Sequence, residues 1–167
     1  VRYVDDSKAT TPHATLAALA GLPGVVLIAG GRNKGLDLAP LADGRPRAVV
    51  AIGEAAAAVV VAYEGRCPVV TAESMDEAVS LAHQLAAGTG TVLLSPGCSS
   101  FDWYDSYDER GRDFQRLVGA LAGTVGRRAL SGERWTPTGR PPDRRSLFVP
   151  VPGARSGSCS SGRWPCS

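Results

Sequence analysis

Two kinds of segment alternate along this chain. Short continuous apolar runs are followed by stretches whose apolar residues recur every three or four positions. Val1–Val4 is a short stretch, partly β-branched or aromatic, that ends at Asp5-Asp6-Ser7-Lys8. Thr11-Pro12 predicts a helix start, with Thr as cap and Pro in the first turn, and Gly21 predicts its end. Leu16, Leu19 and Ala20 form that helix's apolar stripe. Gly24–Ala29 and Ala48–Ile52 are unbroken apolar runs, the pattern of strands buried on both faces. Glu54–Tyr63 reads as an alanine-rich helix, and Pro68–Thr71 as a short strand. Ser74-Met75-Asp76-Glu77 is a capping box; behind it Met75, Ala78, Val79, Ala82 and Leu85 keep helical spacing. Thr91–Leu94 is the last predicted strand. A final helix over about Glu109–Leu121 places Phe114, Leu117, Val118 and Leu121 on one face.

Strands that alternate with helices imply right-handed crossovers, hence an α/β fold with a mainly parallel sheet and helices on both faces. Ligands of such sheets bind beyond the carboxyl ends of the strands. Three polar loops leave those ends: Asp5–Thr11, Gly30–Gly35 and Ser95–Tyr107. They are expected along one edge.

Composition narrows the class. The 167 residues are 44% hydrophobic and 20% charged, which excludes a wholly disordered chain, a coiled coil and a collagen. No apolar run approaches the roughly 18–20 residues of a membrane span, and Val1–Asp6 lacks the pattern of a signal peptide. Cys67, Cys98, Cys159 and Cys166 contain no CxxC pair, and His13 and His83 are the only histidines, so no metal site is expected. Charge is uneven. Residues 1–123 carry 10 Lys and Arg against 14 Asp and Glu, a net of −4; residues 124–167 carry 8 against 2, a net of +6. A boundary is expected near Leu121–Thr124, with a domain over 1–122 and an Arg/Pro/Gly/Ser-rich tail over 123–167. Sparse apolar residues broken by proline predict a tail that does not pack. Its arginines sit in no nucleic-acid-binding motif.

Only 2 of the 18 basic residues are lysines, and both, Lys8 and Lys34, fall in strand-end loops. A compact ammonium suits one carboxylate or phosphate oxygen. Lys8 precedes a helix N-terminus, and Ser7, Thr10 and Thr11 add hydroxyls, so a small carboxylate is the expected ligand there. Gly30-Gly31-Arg32-Asn33-Lys34-Gly35 matches neither common phosphate-loop pattern and reads as a tight turn. Phe101 and Tyr104 read as core or lid packing, Cys98 as a buried structural thiol, and both histidines as surface or packing residues.

Asp6-Ser7-Lys8-Ala9-Thr10, Leu27–Gly31 with Lys34, Leu93–Ser100, Phe101-Asp102 and Glu109–Phe114, in this order, resemble the C-terminal domain of the Mur ligases. The D-glutamate-adding members are the nearest match. Gly97 and Ser99 stand where that family commonly has Ala, and Tyr107 where it often has Phe. The resemblance implies a Rossmann-like fold over residues 1–122 and a part in ATP-driven amide formation for peptidoglycan. It implies D-glutamate held by Lys8, Ser100 and Tyr107, with Asp6, Ser7, Thr10 and Lys34 as supporting residues. ATP and Mg2+ would belong to a central ATPase domain, which with the N-terminal UDP-binding domain is missing from this sequence. The isolated chain is therefore expected to hold no catalytic residue and no metal, and to be inactive. A cytoplasmic location and no nucleic-acid or membrane partner are expected. Two alternatives are a non-catalytic Rossmann-like binding module and the related folylpolyglutamate synthase C-terminal domain.

Overall fold

A computed structural model describes the backbone of residues 1–130 and the side chains of residues 1–121. The strands are β1 (Arg2–Asp5), β2 (Val26–Gly30), β3 (Ala48–Ile52), β4 (Val69–Ala72) and β5 (Thr91–Gly97). The helices are α1 (Pro12–Ala20), α2 (Ala56–Tyr63), α3 (Met75–Leu85) and α4 (Tyr107–Leu130), with a short 3-10 helix over Ala39–Gly44. The five strands pair in the order β1-β5-β2-β3-β4, and every pairing is parallel. The α/β reading, with helices on both faces of a Rossmann-like sheet, is confirmed.

Side-chain alternation along the strands divides the core into two layers. Leu27, Ala29, Val49, Ala51 and Leu93 face Leu19 of α1, Leu41 of the 3-10 helix, and Val59 and Tyr63 of α2. Val26, Ile28, Val50, Ile52, Val92 and Leu94 face Met75, Ala78, Val79 and Ala82 of α3 and Phe114 and Leu117 of α4. The split follows from connection direction. From β1 to β4 the chain moves one way across the sheet; from β4 to β5 it returns, and right-handed crossovers then demand the opposite face. Consequently β5 sends its chain to the face opposite that used by its neighbours β1 and β2. Their carboxyl ends flank the resulting crevice.

Local signals explain the boundaries. The Thr11 hydroxyl accepts from the Ala14 N–H and Ser74 from the Glu77 N–H, as the caps predicted. Tyr3 stacks on His83 and its hydroxyl lies 2.5 Å from Nδ1, a satisfied packing histidine. The alanine-rich helix starts at Ala56 rather than Glu54, and its N-cap, Ala55, makes no side-chain cap bond. The 3-10 helix escaped the pattern because its only buried residues are Leu41 and Ala42, too few for a periodic signal. Strand β5 runs on to Gly97, through Pro96. Its register with β2 passes from Ile28↔Leu94 to Gly30↔Gly97, so one extra residue bulges there, and a bulge tolerates a proline. The last helix begins at Tyr107 and continues to Leu130, beyond both expected ends. No proline lies between Pro96 and Pro137 to stop it. The tail expectations from residue 131 onward lie outside the described residues. Among the described residues, no helix is long and apolar enough to cross a membrane.

Gly30 has φ +126°, and a Cβ there would sit 2.0 Å from the Ile52 carbonyl oxygen. Both conformation and space demand glycine where β2 meets β3. Gly30→Ala is therefore expected to lower unfolding free energy by more than about 2 kcal/mol, measured as a reduced urea midpoint.

Candidate functional site

The loops after β1, β2, β3 and β5 gather at the carboxyl edge of the sheet, held by hydrogen bonds between residues far apart in sequence. The Asp6 N–H donates to the Leu94 carbonyl at 2.8 Å, and the Ser95 hydroxyl donates to Asp6 Oδ2 at 2.8 Å. The Gly97 N–H donates to the Ala9 carbonyl at 2.9 Å, and the Thr15 hydroxyl to the Ser95 carbonyl at 3.1 Å. These bonds fix the β1 loop on β5. The β2 loop is fixed as a two-way bridge: Arg32 N–H to the Ser99 carbonyl at 2.9 Å, and Ser99 N–H back to the Arg32 carbonyl at 3.2 Å.

One side chain clamps the β1 loop, the β5 loop and the start of α4 together. Arg110, in the first turn of α4, is 1% exposed. Its Nε donates to the Ser7 hydroxyl at 2.9 Å and its Nη2 to the Ser7 carbonyl at 2.8 Å. Nη1 and Nη2 both donate to the Cys98 carbonyl at 3.3 Å. The Ser7 hydroxyl in turn donates to the Tyr107 carbonyl at 2.8 Å. No carboxylate lies within ion-pair distance of Arg110 among the described residues. Burial therefore pulls its pKa down, opposed first by Asp102. Gly111 lets α4 come this close: a Cβ there would lie 2.9 Å from Asp5 Oδ2.

The predicted site residues distribute around this clamp. Lys8 is exposed and makes no hydrogen bond or ion pair with the described residues. Its chain neighbour Ser7 is buried, and Ser7's hydroxyl is occupied by Arg110 and Tyr107. Thr10 is half-buried beside the Thr11 cap. Asp6 is half-buried, with one oxygen taken by Ser95. Ser100 is 3% exposed, and its carbonyl accepts from the Trp103 and Tyr104 N–H groups in the turn that leads to α4. Tyr107, the first residue of α4, is 39% exposed. Lys34 is exposed, its ammonium 4.8 Å from the centre of the Phe101 ring. Lys8, Ser100 and Tyr107 thus lie on segments tied to one guanidinium, whereas Lys34 belongs to the adjoining β2 loop.

Of the two aromatics expected in core or lid packing, Tyr104 packs against the core and Phe101 does not: Phe101 is 52% exposed, because the turn opened by Ser100 directs Trp103 and Tyr104 against the core. The Tyr104 hydroxyl donates to Asp113 Oδ2 at 2.8 Å. Sequence reasoning gave Arg110 no role. Its signal was its spacing: 110, 114, 117 and 121 share one helix face, so an arginine heads an apolar stripe. Asp102 was also missed. Its Oδ2 accepts from the Glu54 N–H at 3.1 Å, and Gly53, at φ +67°, leaves room for that carboxylate.

The glycine loop after β2 is a turn and not a phosphate cradle. The Gly31 N–H donates to the Ile52 carbonyl at 3.0 Å, the Arg32 N–H to Ser99, and the Leu36 N–H to Asn33 Oδ1 at 2.8 Å. Donors so engaged do not fit a triphosphate. Among the described residues, no group of three or more His, Cys, Asp and Glu is placed to hold a metal ion. The described residues of this loop thus do not fit ATP with Mg2+.

Cys98 is fully buried, and burial pushes its thiol up to about 11 despite the nearby Arg110 charge. A neutral, enclosed thiol is inert. In the native chain at pH 8, Cys98 is expected to escape iodoacetamide, with alkylation appearing only on unfolding, as read by peptide mass spectrometry. The raised native value favours the folded state fully below the unfolded thiol's pKa. That contribution is lost as pH rises from about 9 towards 11.

No protein-family model matches the chain. Curated relatives do. The chain is 47% identical over 127 residues to the UDP-N-acetylmuramoylalanine–D-glutamate ligase of Syntrophotalea carbinolica, covering 74% of this chain and 28% of that protein. Proteins of the same name from Chlorobium limicola (47% over 125 residues; 72% of this chain, 27% of the relative) and Salinibacter ruber (48% over 126; 72% and 27%) match similarly. The chain therefore spans little more than a quarter of the length of the curated relatives it matches.

Proposed function

We propose that the chain belongs with the Mur ligases, and that residues 1–122 are the C-terminal, amino-acid-binding domain of an ATP-dependent D-glutamate ligase of peptidoglycan synthesis. The observation that carries this reading is Lys8: an exposed ammonium, unpaired among the described residues, next to a seryl residue tied to the backbone of Tyr107. The D-glutamate carboxylate is the natural partner for that charge, and a charge-assisted hydrogen bond is directional enough to orient it. Ser100 and Tyr107 stand on the segments that the Arg110 clamp joins to Lys8, as further contacts to the amino acid.

The division of labour follows from what this domain offers. Its own residues bind and orient the incoming amino acid, so that the amine faces an activated carboxyl group held elsewhere. ATP and Mg2+ supply that activation in a central domain outside this sequence. In amide formation the amine nitrogen attacks the acyl phosphate carbon, phosphate leaves, and the nitrogen gives up a proton. The reaction is cytoplasmic, where the nucleotide-linked substrate is made. The chain alone binds D-glutamate feebly and hydrolyses no ATP.

The test is a graft. Residues 1–122 replace the matching segment of the Chlorobium limicola ligase, and D-glutamate and ATP are varied separately. Lys8→Ala is expected to reduce kcat/KM for D-glutamate about ten- to hundredfold, the loss of a charge-assisted bond of about 1.5–3 kcal/mol, and to leave the KM for ATP unchanged. Lys8→Arg restores activity only in part, because a planar fork does not reproduce a point donor. Unchanged D-glutamate kinetics in Lys8→Ala would refute the assignment.

A further inference from the structure

A buried guanidinium without a carboxylate partner is costly to keep. Simple stability does not explain Arg110, since an apolar residue would extend the stripe of Phe114 and Leu117 at less desolvation cost. What the charge does achieve is geometric. A guanidinium presents its donors in a rigid plane. Here that plane reaches the Ser7 hydroxyl, the Ser7 carbonyl and the Cys98 carbonyl at once. Ser7 adjoins Lys8, Cys98 lies two residues before Ser100, and the Ser7 hydroxyl continues the chain of bonds to the Tyr107 carbonyl. Three segments are thereby locked into a single register.

We infer that Arg110 is a positioning residue that sets Lys8, Ser100 and Tyr107 relative to one another for the amino-acid ligand. The inference rests on the D-glutamate reading for the ligand, and on the hydrogen bonds alone for the locking. Both Ser7 contacts are needed to orient the turn bearing Lys8: the carbonyl bond fixes its plane, and the hydroxyl bond couples it to α4. A lysine at position 110 has a point charge and cannot span Ser7 and Cys98 together.

The test uses the full chain, by amide hydrogen exchange and by NMR titration with D-glutamate. In Arg110→Lys, exchange at the hydrogen-bonded amides of Ala9, Gly97 and Ser99 is expected to speed up on the order of tenfold or more, while amides of β2 and β3 keep their parent rates. The chemical-shift response of the Lys8 and Tyr107 amides to D-glutamate is expected to move to about tenfold higher concentration, at a temperature where both proteins are fully folded. Should Arg110→Lys not fold, Ser7→Ala takes its place. It removes one acceptor from Arg110 and the bond to Tyr107, and must loosen the Lys8 turn and the start of α4 together. Loop exchange at parent rates in the folded variant overturns the locking, whatever D-glutamate does. Loosened loops with unchanged D-glutamate response overturn the positioning role. If the parent itself gives no response to D-glutamate at any concentration, the ligand reading fails, and the exchange data alone decide the locking.

Discussion

The carboxyl edge of this sheet depends on one buried positive charge. Arg110 enters from the first turn of α4, and every group it bonds is neutral: one hydroxyl and two backbone carbonyls on loops that follow different strands. Such an arrangement exchanges solvation of a cation for the fixing of irregular backbone, which has no ladder of its own to hold it. Helix α4, the β1 loop and the β5 loop consequently form one unit. The rest of the edge is keyed to that unit, through the Arg32–Ser99 bridge to β2 and the Asp102–Glu54 contact to β3.

Rigidity below and freedom above divide the work among the residues of the site. Ser7, Ser95, Cys98 and Arg110 are buried and hydrogen-bonded within the scaffold. Lys8 and Tyr107, immediate chain neighbours or bonded partners of these, remain exposed. A polar group already committed inside the protein cannot also recognise a ligand, so the hydroxyl of Ser7 serves the scaffold while the ammonium of Lys8 faces solvent. Ser99 marks the limit of this economy. Its hydroxyl is buried without a hydrogen-bond partner, at a position where the Mur pattern commonly has alanine.

Much of the fold was legible because it is written in one-dimensional signals. Unbroken apolar runs marked β2 and β3, a proline behind a threonine opened α1, and Ser74 with Glu77 opened α3. What escaped depends on tertiary context. The continuation of β5 through Pro96 is possible only because the neighbouring β2 accommodates an extra residue. Phe101 and Tyr104 looked alike by type, as core or lid packing, yet the turn geometry put Trp103 and Tyr104 against the core and left Phe101 exposed. Lys8 was legible as an ammonium at a strand end; Arg110 was not, because arginine is almost always a surface residue and only its place at the head of an apolar stripe argued otherwise.

Parity along β5 breaks at its carboxyl end. Along an unbroken strand, even and odd positions keep to opposite layers. Val92 and Leu94 obey this and face α3 and α4, but Cys98, also even, lies in the other layer with α1 and α2. A Cβ on Gly97 would still face Thr15 and Leu41, on the side of Leu93, so the count is reversed only at Gly97 itself, whose φ of +69° is left-handed. The chain therefore enters the site half a period out of step with the strand that delivers it.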